Sequence, residues 1–144
     1  MKKLLYTEPP VTESALHLVC TKEPVIVERY IALKEEDMCL VDVAGTGLHV
    51  RPKYGFLAGS PDRLVEDSSC EPSHGLLEVK YLASVSGPPS TAIGKKANFC
   101  LERLDCGTVR LKRSHNYFYQ VQDQMGCTGR QWCDFVCHSL VRYL

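Results

Sequence analysis

Hydrophobic positions at helical spacing mark a first segment at residues 21–37. Val27 and Tyr30 lie three residues apart, with further apolar residues beside them, which predicts an amphipathic helix. Proline is tolerated only in the first helical turn, so Pro24 predicts a helix that begins near residues 20–23. A second helix is predicted from His115 to Met125, where Phe118 and Val121 continue an apolar stripe and the glycines at 126 and 129 end it.

Shorter apolar runs between turn-forming residues predict strands. We expect strands at 39–43, 48–52, 55–59 continuing toward 64–65, 75–81 and 131–140, a short hairpin within 99–112, a hairpin loop at 67–74 and an exposed loop at 83–98. Helix, strands, helix and strand in this order predict an α/β (α+β) domain with a central mixed sheet flanked by helices.

Length and charge refine this picture. With 144 residues, the chain suits one domain, which we place at 20–144 after a lead-in segment at 1–19. The formal net charge is zero, but residues 1–80 carry 9 basic and 13 acidic residues, whereas residues 81–144 carry 8 and 4. The first half is suited to cations and the second to phosphates, although chance accounts for such a split equally well.

Cysteine usage and hydropathy bear on the compartment. The eight cysteines lack C-x-x-C spacing, and no signal-peptide core precedes Pro9, so reduced thiols in an intracellular protein are expected. Such a protein is nuclear in a eukaryote and cytoplasmic in a bacterium or phage. No run of about 18 apolar residues exists, so no membrane partner is expected.

The strand at 75–81 carries the candidate chemistry. Side chains alternate between the faces of a strand, so Glu78 and Lys80 share one face, opposite Leu77 and Val79. Alone, this pair is most typical of a solvated edge. Asp62, however, follows Pro61 at a strand bend. A hairpin across the intervening loop then brings Asp62 beside Glu78.

Two adjacent carboxylates repel one another, and a bound cation relieves that repulsion. Mg²⁺ prefers oxygen ligands, which Asp62, Glu78 and the Val79 carbonyl supply, and Mn²⁺ is accepted as a substitute. Lys80 then lies beside a metal-bound water and a developing phosphate charge. The predicted chemistry is metal-dependent phosphodiester hydrolysis.

Four ordered blocks carry a family resemblance: Gly59–Val65, Leu77–Lys80, His115–Met125 and Thr128–Val136. The first two resemble the core of the PD-(D/E)XK nuclease superfamily. All four together are similar to the YqaJ-like viral recombinase family, which includes lambda-type exonucleases. The resemblance implies a restriction-endonuclease-like core and a nuclease that acts on DNA, double-stranded with a free end, in recombination or repair. A homo-oligomeric state stays open.

The resemblance also implies roles outside the central motif. Glu23 falls where the family has a helical glutamate near the metal, and its spacing from Val27 places it on the core-facing side. Glu28, its rival, lies about 140° away around the helix. Gln120 matches a glutamine that approaches the catalytic centre and the DNA, whereas Gln122 and Gln124 are interpreted as its surface neighbours.

Residues expected to contact DNA lie beside these blocks. Ser60 occupies a phosphate-contacting position of the family, and its ordinary alternative is a turn hydrogen bond. Lys112 and Arg113 belong to a basic cluster before the second helix, suited to binding phosphates irrespective of sequence.

The chain departs from the family at several positions. We expect it to lack the family's N-terminal helix and the glycine before the helical glutamate, and it has Tyr81-Leu82 where the family often has Cys-Pro. One alternative is therefore a catalytically weak or inactive DNA-binding module with the same fold. A second is a zinc-stabilised interaction domain held by Cys133, Cys137 and His138.

Overall fold

The structure is a computed structural model that describes residues 4–7 and 15–140, with side chains from 22 to 139. Its elements are β1 (Leu4–Thr7), α1 (Ala15–Glu36), β2 (Val41–Gly45), β3 (His49–Val50), β4 (Ala58–Gly59), β5 (Arg63–Asp67), β6 (His74–Ser86), a 3-10 helix (Pro89–Ala92), β7 (Leu101–Arg103), β8 (Val109–Leu111), α2 (Asn116–Thr128) and β9 (Cys133–Leu140). Across these residues, no helix combines the length and the hydropathy that crossing a membrane requires.

A mixed sheet organises the fold, which confirms the predicted class. Among the described residues its strands follow the order β1-β9-β6-β5-β2. Strand β9 runs parallel to both of its neighbours, β1 and β6, whereas β5 is antiparallel to both of its neighbours, β6 and β2. The tight connection between β5 and β6 is the hairpin loop predicted at 67–74. The predicted pairing of the Asp62 and Glu78 segments follows from this hairpin.

Each face of the sheet is covered by one long helix. Ile26 and Tyr30 of α1 pack in a buried cluster with Leu77. Val121 of α2 packs on the opposite face in a second cluster with Leu76. Because consecutive side chains of β6 reach both clusters, the strand that carries Glu78 lies in the interior of the domain.

The beginning of α1 differs from the prediction. Helix α1 starts at Ala15, so the expected start near residues 20–23 is wrong, and Pro24 lies inside the helix. A proline removes one intrahelical hydrogen bond. Burial of Ile26, Val27 and Tyr30 against the sheet offsets that loss, since tertiary packing supplies most helix stability.

The segment at 83–98 is more ordered than the predicted exposed loop. Strand β6 continues to Ser86 and is followed by the 3-10 helix. Val85, Pro89 and Ala92 are buried, because this segment closes over the α2 side of the sheet. The predicted hairpin within 99–112 is confirmed by the pairing of β7 with β8.

Two further predictions concern short elements. The expected strands at 48–52 and 55–59 reduce to the two-residue pair β3 and β4, which lies outside the main sheet. Within the expected lead-in at 1–19, residues 4–7 form an edge strand and residues 15–19 belong to α1. Residues 1–3 and 8–14 of that segment lie outside the described residues.

Candidate active site

Asp62 lies at the bend between β4 and β5. Arg63 pairs with Leu77 across the hairpin, which places Asp62 next to the strand segment that carries Glu78. The Val79 backbone N–H donates a hydrogen bond of 2.7 Å to Asp62 Oδ2. The hairpin therefore brings Asp62 to the Glu-x-Lys segment, as its spacing in the sequence predicts.

Glu78 is a buried carboxylate with several hydrogen-bond donors. Its side chain is only 1% exposed. Lys80 Nζ lies 2.5 Å from Glu78 Oε1, and Gln120 Nε2 donates to the same oxygen over 2.7 Å. Gln124 Nε2 donates to Glu78 Oε2 over 3.0 Å. These hydrogen bonds offset the free-energy cost of removing the carboxylate from water.

The environment of Asp62 raises its pKa to about 6. Burial is the largest cause, and the negative charge of Glu78 is the next. The Val79 hydrogen bond and the charge of Lys80 act in the opposite direction, and Glu23 adds a smaller raising effect. The raised pKa therefore reflects a partly buried pocket in which, in addition, two carboxylates repel each other.

Lys80 and Glu78 project from the same face of β6, as strand alternation predicts. The Lys80 side chain is 21% exposed, and its Nζ lies 5.1 Å from the centre of the Tyr117 ring. His115 caps the start of α2 by accepting a hydrogen bond of 3.1 Å from the Tyr117 backbone N–H at Nδ1, and its ring lies 4.7 Å from the Tyr117 ring. The ammonium is thus held beside the carboxylates on a side chain that is partly exposed to solvent.

Helix α2 supplies two glutamines to this pocket, one of which the sequence interpretation missed. Gln120 contacts Glu78, in agreement with its expected proximity to the catalytic centre. Gln124, interpreted above as a surface neighbour, is only 3% exposed and contacts both Glu78 and the Ser60 carbonyl. Residues four apart share one helix face, so the spacing from Gln120 could have revealed it. Gln122 is exposed, as expected.

Glu23 lies at the margin of the pocket and is held by a cation. Its Oε1 forms an ion pair of 2.5 Å with Arg63 Nη1, and Arg63 also donates 2.6 Å to the Asp62 carbonyl. Glu28 is exposed. Throughout the described residues, no three His, Cys, Asp or Glu side chains form a group able to hold a metal ion. Glu23 is therefore adjacent to the two central carboxylates but paired with Arg63.

The zinc-stabilised alternative does not agree with the strand that carries its residues. Cys133 and Cys137 are buried in the cluster on the α2 side of the sheet. His138 follows Cys137 directly on β9, so strand alternation directs it to the opposite face. These three side chains cannot converge on one tetrahedral ion.

Comparison with known families adds an independent observation. The family model of the YqaJ-like viral recombinase domain matches residues 8–131 of this chain. The chain belongs to this family. No curated protein and no solved structure gives a significant match. Membership of the YqaJ-like family indicates a nuclease or recombination role and interaction with DNA.

Three residues of the YqaJ-like chain expected to contact DNA lie in solvent-accessible positions. Ser60 is exposed next to Asp62, and its backbone carbonyl accepts a hydrogen bond from Gln124. Lys112 is half-buried and Arg113 is exposed, in the turn between β8 and α2. Among the residues that the structure describes, no hydrogen bond or ion pair joins Lys112 or Arg113 to the Asp62 pocket, so their DNA-binding role stays a prediction.

The donor set of the YqaJ-like pocket fits a hard divalent cation. Asp62 and Glu78 contribute carboxylate oxygens, and Val79, next to Glu78 on β6, donates its backbone N–H to Asp62. Mg²⁺ needs only one or two protein carboxylates because it keeps several waters. Burial and then the charge of Glu78 raise the pKa of Asp62, and such an ion would relieve the repulsion between the two carboxylates.

Proposed function

We propose that this protein is a metal-dependent deoxyribonuclease that hydrolyses phosphodiester bonds, acting as an exonuclease on duplex ends during recombination or repair. The observation that carries the proposal is the convergence of Asp62, Glu78 and Lys80 in one pocket between the sheet and α2. Membership of the YqaJ-like viral recombinase family supports DNA as the substrate.

The proposed roles follow from what each side chain can donate. Asp62, Glu78 and the Val79 carbonyl would hold Mg²⁺, for which Mn²⁺ would substitute, with Glu23 at the margin of that site. A bound Mg²⁺ would polarise the phosphate and acidify a coordinated water. Lys80 would stabilise the negative charge that develops on the phosphate, since its ammonium is already held 2.5 Å from Glu78.

The two glutamines would act on the arrangement of the pocket. Gln124 would position Glu78, because it lies buried behind that carboxylate and links it to the Ser60 carbonyl. Gln120, which is half-buried on the same helix face, would reach both Glu78 and the DNA strand. Ser60, Lys112 and Arg113 would contact DNA phosphates.

The direct test is cleavage of linear and circular duplex DNA of the same sequence, with Mg²⁺ and with excess EDTA. We expect Mg²⁺-dependent degradation of the linear molecule only. Lys80→Ala and Asp62→Asn should each lower the rate by about 100-fold or more, since each removes a group that acts on the reacting phosphate. Glu66→Gln is the matched control, because Glu66 is an exposed acid on the same strand as Arg63.

Each alternative result has a definite meaning. Absence of any cleavage by the folded protein would contradict the nuclease proposal and favour a DNA-binding module without activity. Undiminished cleavage by Lys80→Ala would show a contaminating nuclease or a different site. Cleavage of the closed circle would replace the exonuclease proposal by an endonuclease one.

A further inference from the structure

An exposed apolar surface lies in the segment 46–59, which we term the aromatic hairpin. It contains β3, β4 and the turn between them. Phe56 is 83% exposed and Leu48 is 69% exposed, and Val50 and Tyr54 are also exposed. The rings of Tyr54 and Phe56 lie 6.0 Å apart between their centres. Solvated apolar groups concentrated in this way are typical of a binding surface.

Positive charge accompanies these rings. Arg51 and Lys53 are exposed and lie 5.4 Å and 5.6 Å from the centre of the Tyr54 ring. The segment 46–59 contains no Asp or Glu. Aromatic rings interleaved with cations, without an opposing acid, fit a strand of bases and phosphates better than an apolar protein surface.

The hairpin is held next to the candidate active site by helix α2. A Cβ added at Gly59 would lie 3.0 Å from the Cα of Gln124, so hairpin and helix are in close contact there. A Cβ added at Gly126 would lie 3.9 Å from Arg51 Nη1. The turn is closed by backbone hydrogen bonds, including those from Tyr54 to Arg51 and from Leu57 to Tyr54.

The distance from the hairpin to the catalytic carboxylate is limited by the chain itself. Phe56 and Asp62 are separated by six residues, which span at most about 22 Å. That length corresponds to about six stacked nucleotides. The hairpin therefore lies within about six nucleotides of the pocket, a distance that a bound strand can span.

We infer that the aromatic hairpin binds unpaired nucleotides of the DNA strand, whose bases stack on Phe56 and Tyr54 while Arg51 and Lys53 neutralise the adjacent phosphates. The inference rests on the proposed function, because it takes DNA to be the substrate. It adds a single-strand subsite on the β4 side of Asp62. An end from which bases have unpaired is the substrate that this subsite favours.

The test measures binding of fluorescently labelled oligothymidylate to the full chain by anisotropy in excess EDTA, so that cleavage plays no part. Phe56→Ala should weaken binding by roughly 5- to 100-fold, the effect of losing one stacked base. The matched control is Met38→Ala. Met38 is 93% exposed just after the end of α1, and its substitution removes comparable exposed apolar surface outside the aromatic hairpin. It should leave the affinity unchanged.

A second variant separates stacking from charge. Arg51→Ala combined with Lys53→Ala should reduce the slope of log affinity against log salt concentration by about 1.4, as expected for two single-strand phosphates. Phe56→Ala should leave that slope unchanged. Placing 2-aminopurine in the oligonucleotide adds a direct readout, because stacking on Phe56 quenches its fluorescence and Phe56→Ala should restore it.

Binding by Phe56→Ala equal to that of the unaltered protein would overturn the inference. The inference would also be overturned if Phe56→Ala abolished self-association in sedimentation velocity without weakening DNA binding. The hairpin would then be an interface between two copies of this chain. Phe56-dependent binding together with no Mg²⁺-dependent cleavage would contradict the proposed function while supporting the subsite. The two failures are therefore distinguishable.

Discussion

Gln124 joins separate parts of the chain through one side-chain amide. Its Nε2 donates to Glu78 of β6 and to the Ser60 carbonyl beside Asp62. Its Oε1 is buried without a hydrogen-bond partner among the described residues. A carboxylate and a carbonyl both require a donor, so the orientation of this amide is fixed by its neighbours.

Gln124→Ala should lower the free energy of unfolding by about 1–3 kcal/mol, because Glu78 loses a donor while remaining buried. Gln122→Ala is the matched control, since Gln122 is exposed on the same helix, and it should stay within about 0.5 kcal/mol. Urea denaturation of the three proteins measures both values. Equal stability of the two variants would contradict the positioning role of Gln124.

The ionised form of Asp62 lowers the free energy of unfolding of the metal-free protein. The native pKa is about 6, above the ordinary value of 3.8, so the native state holds this proton more tightly than the unfolded chain. Stability consequently falls as the pH rises through that window. Catalytic groups are often held in such unfavourable surroundings.

Asp62→Asn should therefore stabilise the metal-free protein at pH 7 by on the order of 1 kcal/mol. Asparagine keeps an acceptor for the Val79 N–H but carries no charge to repel Glu78. The difference should disappear near pH 4, where Asp62 itself is protonated. Denaturation at the two pH values measures it, and a variant that is destabilised equally at both would contradict this account.

At the scale of elements, the β5–β6 hairpin is the feature that the sequence predicted best. Its pairing is local, and the apolar alternation and the polar loop between the strands both point to it. The parallel pairing of β6 with β9 was not predictable in register, since it joins segments more than fifty residues apart. The start of α1 was wrong because a local rule for Pro24 was outweighed by packing on the sheet.

The β5–β6 hairpin also depends on one glycine. Gly75 lies beneath the Trp132 ring, and an added Cβ would lie 2.2 Å from two of its atoms. Trp132 cannot easily move away, because it is buried and its Nε1 donates 2.8 Å to the Pro72 carbonyl. The close contact between β6 and the beginning of β9 therefore requires a residue without a side chain.

Gly75→Ala should destabilise the protein by about 2 kcal/mol or more, as expected for overpacking a core. Gly45→Ala is the control, because nothing lies within 4 Å of a Cβ added at Gly45 in β2. Thermal unfolding followed by Trp132 fluorescence reports both. A similar melting temperature for the two variants would show that the indole has room to move.

At the scale of the whole molecule, a buried ionic cluster connects α1 to the sheet. Lys34 of α1 lies 2.8 Å from Asp67 of β5 and 3.1 Å from Asp134 of β9. The Tyr30 hydroxyl donates 2.8 Å to Asp134. Hydrogen bonds from Lys34 and Ser69 hold the pKa of Asp67 well below its usual range despite burial. This cluster fixes the helix that carries Glu23.

Lys34→Met should reduce the free energy of unfolding by about 3–5 kcal/mol at pH 7, because two buried carboxylates lose their cation. Glu36→Gln breaks the exposed pair with Arg29 and should alter the free energy of unfolding by less than about 1 kcal/mol.

The lowered pKa of Asp67 stabilises the unaltered protein above the ordinary pKa of 3.8, and this contribution is lost as the pH falls below it. The effect of Lys34→Met should shrink in the same range, as urea titrations at several pH values would show.

The candidate site could be predicted from sequence only where its residues lie near one another along the chain. Asp62, Glu78 and Lys80 belong to one hairpin, so spacing and strand alternation sufficed. Gln124 arrives from a helix packed across the sheet, and the Arg63 pairing of Glu23 depends on how α1 lies over the other face. Such contacts are set by tertiary packing, which local patterns do not contain.

Binding of Mn²⁺, followed by electron paramagnetic resonance, tests most directly whether the two carboxylates form a metal centre. The account predicts that the unaltered protein and Glu66→Gln bind the ion, that Asp62→Asn does not, and that the affinity weakens as the pH falls below about 6, where protons compete for Asp62. Equal binding by Asp62→Asn, or no binding by the folded unaltered protein at pH 8, would contradict it.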